Sequence, residues 1–438
     1  MEFWRKNLYV IWGCQFLAMI GMSSIGPFLP LYVRDLGIQN TDEAAIWSGL
    51  VFAIPFLFSF FLAPVWGNLG DRYGRKIMTI RAIFGLAAAQ FLSAFAQTPL
   101  ELLIIRLFQG ALSGFLPAAM SLVASNTPQE KTGYALSALQ ASTAAGNVLG
   151  PFFGGIISDS LGYRAVFLMV SILLFITGFL IIFFVQEKNK VSKSAQKYTL
   201  IENWKFALSN KTLLNLGILI CFTSLGIAFI RPIFAFYIET FGLHKDFQAT
   251  ITGSIYGILG IFTTISAVWW GKRSAKGFRK NLLAASFIVG LMYVSHFFVY
   301  NIYLLIPIRA ALGFAYGALQ PLLFTLISEE TPFERKGAMI GIATSFQILG
   351  SMFGPVISGM LSSSAGVRIP FIMTGCIFFA MTSLVYANVK KCDTYIKPTI
   401  KEAANKFFRK PFALRLPHQT ADIVVKIPSM PYMDPVIV

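Results

Sequence analysis

The sequence predicts an all-α integral membrane protein of twelve transmembrane helices, arranged as two pseudo-symmetric bundles of six. Three observations predict this fold class. Apolar runs of about 20 residues recur along the whole chain, charged residues are scarce, and the two halves of the sequence repeat each other. Charged residues make up 13% of the chain, whereas a soluble domain carries about a quarter. Such a composition fits a surface that faces lipid.

The apolar runs have the length of membrane-spanning helices and lack the two-residue alternation of barrel strands. The first run carries no small-residue cleavage site, so we expect a permanent helix and not a cleaved signal peptide. The predicted helices lie near 8–33, 46–67, 77–97, 99–124, 133–158, 163–185, 212–238, 247–271, 281–300, 302–328, 337–361 and 367–389.

The basic residues predict the orientation of these helices. With the N-terminus placed in the cytoplasm, 28 of the 36 Lys and Arg residues fall on the cytoplasmic side, and only 4 fall on the opposite side. This asymmetry predicts a multi-pass membrane protein with both termini cytoplasmic. Because the basic residues sit in short loops, the net charge of +17 indicates topology signals and not a nucleic-acid surface.

Four segments divide the chain. Residues 1–185 are predicted to form the N-terminal bundle, 186–211 a cytoplasmic central loop, 212–389 the C-terminal bundle and 390–438 a basic cytoplasmic tail. Within the tail, 401–409 could lie on anionic lipid as a short helix, or the whole tail could be disordered.

The two bundles match at a nearly constant offset. The motif Arg-x-x-x-Gly-x-x-x-Gly that begins at Arg106 begins again at Arg309, 203 residues later, and the Gly-Pro pair at Gly150 recurs at Gly354, 204 residues later. An even number of helices per half relates such repeats by an axis along the membrane normal. We therefore expect substrate to bind between the halves, and rocking of the halves to alternate access.

Three motifs carry a resemblance to a known family. They are Gly67-Asn-Leu-Gly70-Asp71-Arg72-Tyr-Gly74-Arg75-Lys76, Leu102-x-x-x-Arg106-x-x-Gln109-Gly110 and Gly146-x-x-x-Gly150-Pro151-x-x-Gly154-Gly155. Over roughly residues 5–390 the chain resembles the major facilitator superfamily, and the third motif resembles its drug:proton antiporter branch. The run Pro27-Phe-Leu-Pro30-Leu-Tyr-Val, followed by Trp47-Ser-Gly-Leu-Val-Phe, resembles one type of bacterial multidrug efflux protein in that branch.

The first motif is expected to gate the cytoplasmic side. Its glycines permit a tight turn, and Asp71 can accept from a neighbouring helix N-terminus or pair with an arginine. The alternative, a plain basic topology loop, explains the positive charges but not Asp71 or the glycines. The counterpart loop has Ala275 where the repeat predicts the acid, so the latch is expected in the first half only.

Arg106 lies in the outer half of helix 4, where a guanidinium in hydrocarbon costs about 3 kcal/mol. It should face the interior and have a partner. The resemblance implies a role in proton transfer or coupling, and the alternative is a structural arginine bonded to backbone carbonyls. Its repeat counterpart Arg309 is open to the same two interpretations.

The helix 5 motif forms a stripe of small residues that allows close approach of a partner helix, and Pro151 bends the helix. Ordinary packing explains most of this pattern. The resemblance implies in addition that the stripe seals the cavity against proton leak and sets the bend that antiport needs. Its echo at Gly350, Gly354 and Gly359 is expected to pack on the stripe or on helix 8.

None of the nineteen acids lies near the middle of a predicted helix. Asp35 is the first candidate for the proton site and Glu239 the second, and the alternative is that both are exposed interface residues. The cavity should then be electropositive or neutral and suit anionic, zwitterionic or neutral amphiphiles. The candidate pocket residues are Gln15, Met19, Gln140, Arg231, Tyr256, Arg309 and Gln347.

The sequence shows no metal-ligand cluster, no phosphate-binding loop and no hydrolase triad, so neither an enzyme nor a cofactor is predicted. We predict a secondary active transporter that exports amphipathic drugs in exchange for protons. The alternatives are a porter for a single metabolite, including an anion, and a non-transporting membrane sensor. The expected partners are a small-molecule substrate, protons and the lipid bilayer, with no nucleic acid, and the chain is expected to act as a monomer.

Overall fold

The computed structural model of the chain describes residues 2–187, 199–242, 244, 247–274 and 277–388. Every regular element in these ranges is helical. The predicted tail, residues 188–198 of the central loop, and Ala275 lie outside the described residues.

Within the described ranges twelve long helices follow one another, and a short linker helix, Leu200–Ser209, separates the first six from the last six. The first six are α1 (Phe3–Asp35), α2 (Thr41–Tyr73), α3 (Arg75–Ala94), α4 (Pro99–Asn126), α5 (Thr132–Leu161) and α6 (Tyr163–Phe184). The last six are α7 (Lys211–Ile230 continued by Phe234–Glu239), α8 (Gln248–Ser274), α9 (Phe278–Phe297), α10 (Ile302–Glu330), α11 (Lys336–Ala365) and α12 (Ile369–Asn388).

Ten of these helices have a described stretch long and apolar enough to cross a membrane, and α5 and α9 are the two without one. Several helices, among them α1, α2 and α11, run a few residues beyond the predicted apolar spans. For example, α2 starts five residues before its predicted start, where the side chain of Asn40 accepts from the backbone N–H of Asp42 at 2.8 Å.

Both halves break their first helix at the same place in the repeat. α1 passes through a 3₁₀ turn at Gly26–Phe28, and α7 through turn residues at Arg231, Pro232 and Ile233. Each break holds a proline, which lacks the N–H that a continuous helix needs. Interrupted helices at corresponding positions of two repeats point to the binding region of a transporter.

Side-chain contacts reproduce the repeat. The hydroxyl of Tyr32 donates to the carbonyl of Ser93 at 2.7 Å, and the hydroxyl of Tyr237 donates to that of His296 at 2.7 Å. The two tyrosine rings pack on equivalent phenylalanines of α6 and α12. The predicted pair of pseudo-symmetric six-helix bundles is therefore confirmed, and the tyrosine contacts fix the outer parts of α1 and α7 against the bundle cores.

Candidate functional site

The candidate site is the interface between the two bundles. We call the end of the molecule at the α2–α3 turn the basic face, and the end at the α1–α2 turn the opposite face. Within each half, α1 packs on α5 and α7 packs on α11, whereas α2 meets α11 and α5 meets α8 across the interface. Four helices therefore make the main contacts between the halves.

The small-residue stripe of α5 faces α1. A Cβ at Gly150 would lie 2.5 Å from the carbonyl oxygen of Ile20, and one at Gly154 would lie 2.3 Å from that of Ser24. Ser24 also donates to the carbonyl of Gly150 at 2.9 Å. Gly146, Gly150 and Gly154 thus join two helices of the same half, as small residues do in membranes.

The neighbouring glycine faces the other half. A Cβ at Gly155 would lie 2.6 Å from the carbonyl oxygen of Ala249, and one at Gly253 would lie 2.1 Å from that of Pro151. α5 and α8 are therefore in direct backbone contact across the interface. Any larger residue at these positions would push the halves apart, because a backbone carbonyl cannot move aside.

The same contact recurs between α2 and α11, 204 residues away. A Cβ at Gly359 would lie 2.5 Å from the carbonyl oxygen of Ala45, and one at Gly49 would lie 2.5 Å from that of Pro355. The expectation that this echo packs on α5 or α8 was wrong. Because the pseudo-two-fold relates α1 and α5 to α7 and α11, Gly350 and Gly354 pack on α7, and Gly359 packs on α2.

An ion pair joins the halves at the opposite face. The guanidinium of Arg34, at the end of α1, holds the carboxylate of Glu239, at the end of α7, through two hydrogen bonds, one of them 2.7 Å between Nη1 and Oε2. Nearby, Asp159 of α5 accepts from the backbone N–H groups of Ala249 and Thr250 at 3.0 and 2.7 Å. Asp159 therefore caps the N-terminus of α8 from the other half.

A cavity of about 710 Å³ opens at this face. Both predicted proton sites line it, together with Arg34, Tyr163 and Gln248. They differ in environment, because Asp35 is exposed whereas Glu239 is partly buried against Arg34. Only Glu239 therefore has a charge partner in the opposite half among the ion pairs of the described side chains.

The two intramembrane arginines of the repeat are both buried. Arg106 is 6% exposed, and its Nη1 donates to Oε1 of Gln109, one turn further along α4, at 2.9 Å. Arg309 is 2% exposed, and its guanidinium carbon lies 3.9 Å from the centre of the Phe234 ring. Within the described ranges neither guanidinium forms an ion pair with a carboxylate.

Two predicted pocket residues lie in the first-half helix contact. Gln15 donates through Nε2 to the carbonyl of Leu139 at 3.0 Å and to the hydroxyl of Thr143 at 2.6 Å, which ties α1 to α5. Met19 packs against Gly146. Both are buried, with Gln15 fully so.

The other predicted pocket residues lie on faces with more room. Gln140 of α5 is exposed, and Gln347 of α11 donates to Gln320 of α10 at 3.4 Å. Tyr256 is partly exposed, and its ring centre lies 5.7 Å from that of Phe234, the ring on which Arg309 stacks. Tyr256 and Arg309 therefore both pack against the ring of Phe234. Arg231, at the α7 break, is also partly exposed.

The gate motif at the basic face has a partner that sequence reasoning missed. The Glu187 carboxylate, just beyond α6, accepts from the backbone N–H groups of Arg75 and Lys76 at 3.0 Å each. It therefore supplies the N-cap of α3. The Lys76 ammonium in turn donates to the carbonyl of Ile182 at 2.8 Å. The side chain of Asp71 lies outside the described residues, so the predicted latch stays a prediction.

Comparison with known proteins supports the architecture. The family model of the Major Facilitator Superfamily matches residues 11–299 and 265–417. The chain is 35% identical to the multidrug resistance protein MdtG of Enterobacter lignolyticus (strain SCF1), over 85% of this chain and 90% of that protein. It is 36% identical to MdtG of Salmonella schwarzengrund (strain CVM19633), over 86% of this chain and 94% of that protein.

The chain belongs to the major facilitator superfamily. It is therefore a multi-pass membrane transporter. A bacterial homologue of the human lysosomal transporter Spinster, crystallised in an inward-facing and unoccupied conformation, shares its fold with a TM-score of 0.72 at 14% identity, covering 89% of this chain and 97% of that one.

In this superfamily member the motifs were readable from sequence, but their long-range partners were not. Asp159 and Glu187 carried only a weak signal, since each is an acid near a predicted helix end. Their acceptor roles depend on N–H groups 90 and 111 residues away along the chain. Arg34 was counted only as one of four basic residues on the opposite side, although it forms the ion pair between the halves.

Proposed function

We propose that this transporter exports amphipathic small molecules across a bacterial inner membrane by proton-coupled alternating access. The similarity to MdtG over most of the chain supports efflux of drug-like substrates. The observation that carries the alternating-access mechanism is the pair of equivalent backbone contacts between the halves, α5 with α8 and α2 with α11. Two such contacts form an axis about which one half can rock against the other.

The basic face is assigned to the cytoplasm and the opposite face to the outside, because short cytoplasmic loops carry the excess of Lys and Arg. On this assignment the Arg34–Glu239 ion pair and the Asp159 cap of α8 join the two halves at the outside. Opening the outside would separate Arg34 from Glu239 and Asp159 from the α8 N-terminus. Both are charged contacts between the halves, so protons arriving from outside can act on them.

Glu239 is the proposed proton-accepting group. Protonation removes its negative charge and so weakens the bidentate contact with Arg34, which lowers the free energy needed to open the outside. Asp35 is exposed at the same cavity and forms no ion pair with a described residue of the other half, which makes it the weaker candidate. Arg106 is proposed to support coupling as a fixed buried charge, held by Gln109.

The motif residues then have mechanical roles. Gly146, Gly150 and Gly154 hold α1 and α5 together as one unit, and Gly155 with the bend at Pro151 contacts α8 of the other unit. At the basic face, the turn at Gly70 and Gly74, with Arg72, Arg75 and Lys76, is proposed to close the cytoplasmic side in the alternate state. Glu187 holds the start of α3 in place during that motion.

Substrate-driven proton release from the purified, detergent-solubilised protein tests the proposal. A panel of cationic, neutral and anionic amphiphiles should release protons, and Glu239→Gln should reduce that release severalfold. Glu43→Gln is the matched control, because Glu43 is an exposed acid at the same face and forms no ion pair with a described residue of the other half. Equal release from wild type and Glu239→Gln would remove Glu239 as the coupling site.

Transport itself is tested in proteoliposomes with an imposed pH gradient. Uptake of several unrelated amphiphiles into vesicles with an acidic interior is expected from the inside-out fraction. Flux of a single compound only would favour the second candidate, a porter for one anionic metabolite, which the buried arginines of α4 and α10 support. Absence of flux for every compound would contradict transport and favour the sensor hypothesis.

A further inference from the structure

Arg309 is a buried cation with free hydrogen-bonding capacity. Its side chain is 2% exposed, yet its Nε and Nη2 have no hydrogen-bond partner among the residues that the structure describes. A guanidinium stays protonated in proteins and presents five N–H donors in a fixed fork. A buried N–H donor without an acceptor costs free energy, because it has lost its hydrogen bonds to water. An acceptor supplied by a ligand would therefore bind there favourably.

Comparison with the first half shows that Arg309 lacks a nearby acceptor that Arg106 has. In the first half, Arg106 donates to Gln109, three residues further along the same helix. The equivalent position in the second half, 203 residues later, is Leu312, which offers no acceptor. In both arginines Nε and Nη2 have no hydrogen-bond partner among the described residues. They differ in that Arg106 has an acceptor for Nη1 in its own helix, whereas Leu312 offers Arg309 none.

A second cation and three phenols lie near this position. Tyr293 lies within electrostatic range of both Arg309 and Arg231, and Tyr256 lies within range of Arg309. Tyr316 lies within range of Arg231. Arg231 has no counterpart in the first half, where the repeat places Gly26 or Pro27. The second half thus concentrates positive charge and O–H donors beside the break in α7.

The cluster borders the space between the bundles. Tyr256 is three residues after Gly253 and four before Gly260, so all three share one face of α8, and this is the face that packs on α5 of the other half. Tyr256, Tyr316 and Arg231 are each partly exposed, whereas Arg309 is buried. The partly exposed side chains are the accessible members of the cluster, and Arg309 is its buried member.

We propose that Arg309 and Arg231 bind the anionic head group, a carboxylate or a phosphate-type group, of an amphipathic ligand, with Tyr256 and Tyr316 contributing O–H donors and aromatic surface. This inference rests on the proposed function in one respect, namely that the ligand bound here is the molecule that the protein transports. The guanidinium fork matches two oxygens of such a group, and Phe234 and the tyrosine rings suit an apolar body.

Three probes that share the dansyl fluorophore and differ in charge test the site: dansylglycine (anionic), dansylamide (neutral) and dansylcadaverine (cationic). Binding to the purified full-length protein is measured by fluorescence anisotropy. Wild type should prefer dansylglycine. Arg309→Gln should weaken dansylglycine at least about tenfold, as expected for a charge-assisted hydrogen bond, and leave dansylamide within about twofold. Arg231→Gln should have a smaller effect in the same direction.

Arg106→Gln is the matched control, because it removes the repeat-equivalent charge from the half that has its own acceptor. Arg309→Lys guards against misfolding, since it keeps the charge and should keep part of the preference for the anion. Equal losses for all three probes in Arg309→Gln, no preference in wild type, or an Arg106→Gln effect as large as that of Arg309→Gln would each overturn the proposal.

A last arm identifies the source of the anion. If phosphatidylglycerol competes with dansylglycine in wild type but not in Arg309→Gln, the site accepts a lipid head group. If only free carboxylates compete, it accepts a soluble amphiphile. Anion binding without flux in proteoliposomes would leave this site standing and reject the proposed transport. Flux of dansylamide, together with no preference for the anionic probe, would support the proposed transport and reject the anion site.

Discussion

The two halves of the molecule share a packing frame and differ in their charges. The backbone contacts match position by position, since Gly155 against Ala249 corresponds to Gly359 against Ala45. The charged side chains do not match. The offset of 205 residues that relates Tyr32 to Tyr237 also relates Arg34 to Glu239, so the two partners of this ion pair occupy equivalent positions and carry opposite charges. The ion pair therefore exists once.

A second difference lies near the basic face. In the first half the Arg81 guanidinium lies 3.5 Å from the ring centre of Trp66 and donates to the carbonyl of Ser113 at 3.0 Å. Trp270, the counterpart of Trp66, makes the same indole bond to a backbone carbonyl, but the position of Arg81 is taken by Ala284. Packing needs symmetry, because both halves bury the same surfaces. Coupling and binding need asymmetry, because a transport cycle has a direction.

The largest expected effect tests the shared frame. Gly150→Ala should destabilise the protein by about 3 kcal/mol and Gly354→Ala by about 1 kcal/mol, the two ends of the overpacking range. A Cβ at Gly150 would lie 2.0 Å from the Ser23 hydroxyl and 2.5 Å from a backbone carbonyl, whereas the nearest atom at Gly354 would be 2.7 Å away. Thermal unfolding in detergent measures both.

Gly133→Ala and Gly337→Ala are the controls for this comparison. They are repeat-equivalent helical positions with nothing within 4 Å of the added Cβ, so alanine should be neutral or slightly stabilising. Equal destabilisation by Gly150→Ala and Gly133→Ala would show that the close α1–α5 approach is not what the stripe provides.

The next largest effect tests the single ion pair. Glu239→Gln should favour opening at the opposite face by about 1 kcal/mol, roughly a fivefold change in population, because each partner is about a quarter to a third exposed. Spin labels at Asn40 and Thr240, measured by electron–electron double resonance, report the distance between halves. Asp35→Asn should change the distribution little.

The charge swap Arg34→Glu with Glu239→Arg should return the distance distribution toward wild type, whereas each single change should not. Failure of the swap, together with a wild-type distribution in Glu239→Gln, would mean that this pair does not hold the outside closed.

A comparable effect is expected from the acid that caps α3. Glu187→Ala removes the acceptor for two N–H groups at a helix N-terminus and should lower stability by about 1 kcal/mol. The change in unfolding midpoint measures it. Glu130→Gln is the control, since Glu130 is an exposed acid in a loop of the same face. A midpoint shift no larger than that of the control would reject the capping role.

The smallest effect concerns the linker helix between the halves. The backbone N–H of Thr199 bonds to the Glu202 carboxylate and lowers its pKa below the ordinary value of 4.5. A lowered pKa in the folded state means that the cap is fully formed above pH 4.5 and is lost as pH falls through the lower value. The rate of backbone hydrogen exchange in Leu200–Ser209, corrected for intrinsic rates, should therefore rise as the pH falls through the lowered pKa of Glu202.

The start of α7, capped by the neutral amide of Asn210, is the internal control for this acid response. Because an amide does not titrate, protection at the first residues of α7 should stay constant over the same range. Parallel loss of protection in both helices would indicate general unfolding and not loss of the Glu202 cap.

Much of the frame followed from the sequence. The spans were predictable because a polar backbone must satisfy its hydrogen bonds inside the bilayer, which leaves long apolar helices with polar ends. The pseudo-symmetry followed from matching glycines, prolines and arginines at one offset. Glu239 and Asp35 were both expected near the opposite face. Their different environments were not, because exposure depends on which chain segment lies opposite.

The sequence by itself determined the number of helices, the repeat and the positions of the motifs, because all three depend only on local composition and residue spacing. Only the tertiary structure decided that Gly155 meets α8, that Arg34 holds Glu239, and that Glu187 caps α3. Each of these contacts joins groups about 90 to 200 residues apart. Hydrogen bonds act over about 3 Å, so the approach of two helices, and not their sequences, determines which groups meet.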